Sequence, residues 1–277
     1  MRRRRAVRWA LGAAGLAAGA QMVPSVVSLG QWLPVRALPG GWCRWRGPAA
    51  ARVALTFDDG PDPDLTPELF DRLDDLELPA TFFCLGEHAA AHPDLVREAL
   101  RRGHQVETHG HRHEHHFARR PAWIRADLDA ALDALGAAGV RPRWFRPPYG
   151  QTTGPTMVEA RRHGLGLVLW SAWGREWDEP DPAHVASRVG AALDPGAIVL
   201  LHDRDVDSPP GSARRALDAL EVIATELDRR RLQAVTLDTL VGSAGPGGPR
   251  DPGARDSAPR APGGGANGGA GVSGLPG

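Results

Sequence analysis

A chain of 277 residues, 42% of them apolar, has enough to bury for one large domain or two small ones. Its 33 Lys and Arg offset its 33 Asp and Glu, and no basic stripe survives outside the first residues, which argues against nucleic acid as a partner. Two cysteines exclude a disulfide framework; Cys84, in the apolar run Ala80 to Leu85, reads as a small core residue.

Compartment is read from the N-terminus. Arg2 to Arg5 and Arg8 precede an apolar run from Trp9 to Ala20, Ala18-Gly19-Ala20 has the form of a signal-peptidase site, and apolar character resumes from Met22 to Leu29. Residues 1–30 are therefore expected to be a signal peptide or, uncleaved and near the ~20 residues a span needs, a membrane anchor. Either outcome puts the remainder outside the cytoplasm, because the arginines stay inside. Residues 31–51 read as a linker. Residues 242–277, rich in Gly, Pro, Ala and Ser, read as a disordered tail that buries too little apolar surface to order itself.

Residues 52–241 form the expected domain. From Arg52 onward Val53, Leu55 and Phe57 alternate with Ala54, Thr56 and Asp58, the period of a strand, which Gly60-Pro61 ends. Two carboxylates, Asp58 and Asp59, thus stand where a strand stops. They can reach one site only if the chain bends after them, as Gly60 permits and Pro61 enforces, and ionising both calls for a cation. A helix follows, capped by Thr66 with Pro67 at its first position and Leu69, Phe70, Leu73 and Leu76 on one face; the strand Ala80 to Leu85 is next. The second helix opens at Pro93, buries Leu95, Val96, Ala99 and Leu100, and stops at Gly103. After a short strand near His104 to Glu107 comes a loop with His109, His111, His113, His115 and His116. His109 and His113, spaced i and i+4, share one face if the segment makes a helical turn. With one carboxylate they would make a site of the His₂Asp type that leaves a position open for water, as catalytic zinc requires, although spacing alone does not single out this pair.

A helix from Pro121 carries Ile124, Leu128, Leu132 and Leu135, and the short strand Trp144-Phe145 leads into Arg146-Pro147-Pro148-Tyr149-Gly150. There an arginine held by two prolines can orient a carboxylate, and the Tyr149 amide can donate to an oxyanion. Next come a helix from Pro155 to Arg162, a strand from Gly166 to Trp170, and a helix from Asp181-Pro182 with Val185, Val189 and Leu193. The strand Ala197 to Leu201 ends at His202, with Leu200 or Leu201 placed to line an apolar pocket. One helix through Leu217, Leu220, Ile223, Ala224 and Leu227 and a final strand from Gln233 to Leu237 complete the domain. Strands alternating with helices imply an α/β fold, a distorted or incomplete (β/α) barrel of about seven parallel strands with outer helices, whose chemistry gathers where strands end.

In five ordered motifs spanning Arg52 to Leu240 the chain resembles the polysaccharide deacetylases of carbohydrate esterase family 4, the NodB-homology domain. Thr56-Phe57-Asp58-Asp59-Gly60-Pro61 and Leu200-Leu201-His202-Asp203 are close to the family pattern. The resemblance implies that Asp58 is the general base, that Asp59, His109 and His113 bind one divalent metal, and that Arg146 orients Asp58. It further implies that the Tyr149 amide helps form the oxyanion hole, that His202 is the general acid, and that Leu200 lines the pocket for the acetyl methyl group. Zinc is the first expectation; cobalt, nickel and iron suit the same ligands. The implied reaction removes N-acetyl groups from N-acetylglucosamine-containing polysaccharide, either cell-wall glycan or a chitin-like oligosaccharide. An O-acetyl esterase acting on acetylated xylan uses the same machinery, and a non-catalytic glycan-binding module on the same fold is the contrasting reading. Such a module would have lost a ligand or the base, and none is missing here. A metal amidohydrolase built on His109-x-His111 would need a bridging lysine or further His and Asp at later strand ends; with no lysine available for that role, it ranks low.

Two departures from the family pattern carry expectations of their own. Gly110 stands where Ser or Thr is usual, which predicts a looser ligand loop. In Trp173-Gly174-Arg175-Glu176-Trp177, Trp173 replaces a carboxylate, and Glu176 takes the place of the Asp that orients the acid histidine, with one more methylene to fit. Trp173 and Trp177 are expected to stack on sugar rings, and Trp170, closing a strand, to pack in the core.

Overall fold

The computed structural model describes residues 43–242; the segment 1–30, most of the expected linker and the tail from 243 lie outside the described residues. Its strands are β1 (Cys43–Arg44), β2 (Arg52–Asp58), β3 (Ala80–Cys84), β4 (Gln105–Thr108), β5 (Trp144–Phe145), β6 (Gly166–Val168), β7 (Ala172–Trp173), β8 (Ile198–His202) and β9 (Gln233–Ala234). Its helices are α1 (Leu65–Asp75), α2 (Gly86–Ala91), α3 (Pro93–Arg101), α4 (Pro121–Ala137), α5 (Gly154–Arg162), α6 (Pro182–Ala191), α7 (Ser212–Asp218), α8 (Leu220–Arg230) and α9 (Leu237–Val241).

The strands lie in the order β1-β6-β5-β4-β3-β2-β8-β7, with β9 pairing on the start of β2, and every one of these pairs is parallel. The sheet curls into an incomplete barrel with helices around it, the expected class, and the two-residue strands β1 and β7 raise the count above seven. Neither was visible beforehand, because two residues carry no periodicity. Through β1, part of the segment read as linker joins the sheet, Cys43 opposite Leu167 and Arg44 opposite Val168.

Strand β2 explains the layering. Val53, Leu55 and Phe57 pack with Leu69, Phe70 and Leu73 of α1, Val185 and Val189 of α6, and Leu220 and Ile223 of α8. Each such buried side chain stabilises the fold by roughly 1.5–3 kcal/mol. Ala54 joins a second cluster with Phe83, Trp144, Val168 and Ile198, which Leu237 and Leu240 of α9 complete. The final strand is therefore shorter than its sequence suggests. The last bond to β2 is from the Val235 amide to the Val53 carbonyl at 2.9 Å; beyond it Thr81 Oγ1 accepts the Leu237 amide at 2.9 Å and Gln105 Oε1 the Asp238 amide at 2.9 Å, which starts α9.

Other local expectations shift for similar reasons. The helix drawn through Leu217 and Leu227 is two, separated at Ala219. Leu100 faces solvent at 40% exposure, leaving Val96 and Ala99 as the buried residues of α3. Helix α1 starts at Leu65, before Thr66: Asp62 Oδ1 accepts the Leu65 amide at 2.9 Å, and the Thr66 hydroxyl instead donates to Asp203 Oδ2 at 2.8 Å. Register then sets the site. Asp58 stands opposite Phe83 and His202, and Thr108 opposite Phe145, so Asp59, His109, Arg146 and His202 leave one rim from β2, β4, β5 and β8.

Candidate active site

The turn after β2 is built differently from the expectation. The bend is at Asp59, whose φ of 82° is left-handed, and the following Gly60-Pro61 bond is cis. Gly60 is required for space: a Cβ there would lie 2.0 Å from Asp203 Oδ2. That carboxylate fills the hollow, accepting the Gly60 amide at 3.0 Å through Oδ1. The ring nitrogen Nδ1 of His88, on α2, donates to the Asp59 carbonyl at 2.7 Å, so the backbone around both acidic residues is held from two elements, α2 and the end of β8.

Asp58 and Arg146 form a buried pair. Arg146 is fully buried; its Nη1 donates to Asp58 Oδ1 at 2.6 Å and to Thr56 Oγ1 at 2.8 Å, and its guanidinium lies 4.1 Å from the Phe83 ring centre. Burial raises the Asp58 carboxyl above its ordinary range, opposed by the charge and hydrogen bond of Arg146. The outcome is a carboxylate fixed at one oxygen, with Oδ2 turned toward His109 Nδ1 at 3.7 Å.

Asp59, His109 and His113 come together beside this pair. Their donor atoms all lie within 4.8 Å of one another; Asp59 Oδ1 is 3.4 Å from His109 Nε2 and 3.6 Å from His113 Nε2. Asp59 Oδ1 is buried with no hydrogen-bond partner. Burial pushes both imidazoles down, toward the neutral form whose lone pair binds metal, and penalises the Asp59 carboxylate, so this pocket of oxygen and nitrogen donors fits a cation. The loop between the histidines is not the helical turn inferred from spacing. Gly110, at φ 91°, swings the chain so that the two rings stack 5.4 Å apart. Nor is the loop loose: Thr108 Oγ1 accepts the Gly110 amide at 3.1 Å, and Asp127 of α4 accepts the amides of His111 at 2.9 Å and Arg112 at 3.2 Å.

On the far side His202 Nδ1 lies 2.7 Å from Oε1 of Glu176, a fully buried carboxylate. Burial alone would push the imidazole down, but the charge and hydrogen bond of Glu176, with Asp59 and Asp58 beyond it, outweigh that and take it up to about 10. Residue 174 is glycine in a tight place: a Cβ there would lie 2.6 Å from Val185 Cγ1 and 3.0 Å from both Glu176 Oε2 and Leu201 Cδ2.

These groups open into one cleft of about 270 Å³. Leu200, 3% exposed, is in its wall, as are Trp173 and Trp177. Trp177 meets His202 edge-on at 5.4 Å and Trp173 at 5.6 Å. Trp170, beyond the end of β6, is partly buried against the core cluster of Ala54, Phe83 and Trp144, as expected, and lines the cleft as well. Tyr149 lies in a turn at φ 56°, half exposed at the mouth. His111, His115 and His116 stay out of the metal-binding trio. Given no role from sequence were Thr56, His88, Asp127, Asp203 and Asp207; of these only Thr56 and Asp203 had a visible signal, their places in the motifs that carry Asp58 and His202.

Half-barrel and rim together define a class of hydrolase in which three side chains that could hold a metal ion, a buried Asp58–Arg146 pair and a His202–Glu176 pair share one cleft. The sequence matches the polysaccharide deacetylase family model over residues 46–168. It is 40% identical over 169 residues, 60% of this chain and 76% of the other, to a chitooligosaccharide deacetylase of Bradyrhizobium sp. (strain ANU 289). It is 30% identical over 213 residues, 76% of each chain, to a peptidoglycan-N-acetylglucosamine deacetylase of Bacillus cereus. The crystal structure of the Bc1960 peptidoglycan N-acetylglucosamine deacetylase is similar with a TM-score of 0.71 and 28% identity, over 77% of this chain and 99% of that one. The chain belongs to the polysaccharide deacetylase family, carbohydrate esterase family 4.

Proposed function

We propose that the protein is a metal-dependent hydrolase that removes N-acetyl groups from N-acetylglucosamine units of cell-wall glycan or a chitin-like oligosaccharide, leaving an amino sugar and acetate. The observation that supports this most is the meeting, in one cleft, of the trio Asp59, His109 and His113 with the pairs Asp58–Arg146 and His202–Glu176. The named activities of the two relatives support the substrate class.

Asp59, His109 and His113 would hold one divalent ion, zinc first by ligand type. When bound, that ion supplies Lewis-acid polarisation of the acetamide carbonyl and a more acidic water. Asp58, with one oxygen fixed by Arg146, takes the water's proton through the other as the water oxygen bonds to the acetamide carbon. His202, its Nδ1 engaged by Glu176, gives a proton from Nε2 to the leaving nitrogen as the carbon–nitrogen bond breaks. The Tyr149 amide donates to the developing oxyanion, Leu200 receives the acetyl methyl group, and Trp173 and Trp177 offer ring faces to the sugar. The domain would work outside the cytoplasm, tethered to the membrane if residues 1–30 are retained. Among the described residues no helix is long and apolar enough to cross a membrane.

Acetate release from chitooligosaccharide, peptidoglycan and acetylated xylan tests the reading, with protein as purified, chelator-treated and zinc-reloaded. Release from either of the first two, lost on chelation and restored by zinc, is expected. Release from xylan alone would make the protein an O-acetyl esterase. Glycan binding without acetate from the zinc-loaded protein would make it a binding module.

A further inference from the structure

The loop after β8 carries a carboxylate that nothing above uses. Asp207 Oδ2 lies 2.9 Å from His113 Nδ1 and accepts the Tyr149 hydroxyl at 2.6 Å. Its backbone is left-handed, φ 51°, a conformation that non-glycine residues rarely adopt and that persists where the surroundings impose it. The Tyr149 ring lies between two imidazoles, its centre 4.3 Å from that of His113 and 3.7 Å from that of His115.

We propose that Asp207 is a positioning residue that fixes His113 for metal binding and ties it to the Tyr149 turn. The inference rests on Asp59, His109 and His113 being the metal site. A neutral imidazole has one N–H, and an acceptor at Nδ1 places the hydrogen there, leaving the Nε2 lone pair directed at Asp59 Oδ1, 3.6 Å away. The two histidines differ in their need for such help. His109 is enclosed, its side chain 3% exposed, whereas that of His113 is 10% exposed and faces the cleft mouth. Asp127 fixes the backbone ahead of His113 but does not reach its ring. Asp207 supplies what is missing: one oxygen stops rotation of the ring, selects its tautomer, and through the Tyr149 hydroxyl links the ends of β4, β5 and β8 across the mouth.

The test is zinc affinity of the metal-stripped full chain, measured by competition with a chromophoric chelator, for wild type, Asp207→Ala, Asp207→Asn, Tyr149→Phe and Asp59→Ala. Loss of a partner on a metal-bound histidine typically weakens metal binding roughly 10–100-fold, and that loss is expected for Asp207→Ala. Asp207→Asn keeps an acceptor for Nδ1–H and should recover most of the affinity. Tyr149→Phe leaves the His113–Asp207 pair in place and should weaken zinc less than Asp207→Ala does. The melting temperature of the metal-free protein should barely move in Asp207→Ala, since that side chain is 56% exposed, so an affinity loss reports on His113 and not on folding. Wild-type affinity in Asp207→Ala, or equal losses in the Ala and Asn variants, would overturn the proposal. If zinc affinity does not depend on Asp59, the metal-site reading itself fails and takes this proposal with it, a result distinguishable from one in which Asp59 matters and Asp207 does not.

Discussion

Asp58 and Asp59 are neighbours in sequence with separate partners, and one backbone torsion separates them. Asp58 still has strand geometry and meets Arg146; the left-handed φ of Asp59 turns its carboxylate to His109 and His113. Across the cleft a single carboxylate decides the state of His202. The general acid proposed at His202 must carry its proton, and an imidazole raised to about 10 does so through neutral pH, so the alkaline limb of kcat/KM is expected above neutrality. In Glu176→Gln the largest upward contribution disappears and burial takes over, pushing the histidine toward or below its ordinary ~6.5. The limb should then move to lower pH, with activity near pH 8 falling at least tenfold (~10², the lower end of acid–base contributions, is attainable) and activity near pH 6 falling less. A pH profile superimposable on that of the wild type would contradict the role given to the pair.

The elements show what local pattern can and cannot reveal. Strand β2 was legible because seven residues alternate, and the rim followed from the strands that end there. Thr66 looked like a helix cap because capping is a local rule; its hydroxyl accepts the nearby Asp62 amide at 2.7 Å but donates to Asp203, 137 positions away, and no spacing argument reaches that far. The same contact explains Gly60. Placing a methyl group there collides with Asp203 and breaks the stitch between the β2 turn and β8. Overpacking of this kind costs roughly 1–3 kcal/mol, and at about 2–4 °C per kcal/mol Gly60→Ala should lower the melting temperature by several degrees. An unchanged thermal melt would show that the hollow is not rigid.

For the molecule as a whole, the sequence exposed the residues whose chemistry stands out against apolar strands: Asp58, Asp59, His109, His113, Arg146 and His202. It hid those whose importance lies in a distant contact. His88 supports Asp59 from another element, Asp127 supplies the stiffness that Gly110 was expected to remove, and Gly174 leaves room for Val185, Glu176 and Leu201. Each of these depends on a three-dimensional neighbour, and no alternation or helical period encodes it. The cleft therefore rests on strand order for its placement and on these long-range bonds for its geometry. Its central claim is the division of labour between two adjacent carboxylates, and Asp58→Asn with zinc content and acetate release measured on one preparation tests it most directly. Asparagine preserves volume and an acceptor for Arg146, so the variant should hold one zinc per chain while acetate release falls about 10²–10⁴-fold, the range for loss of a general base. Release near the wild-type rate, or loss of zinc along with activity, would contradict the separation of base from metal ligand.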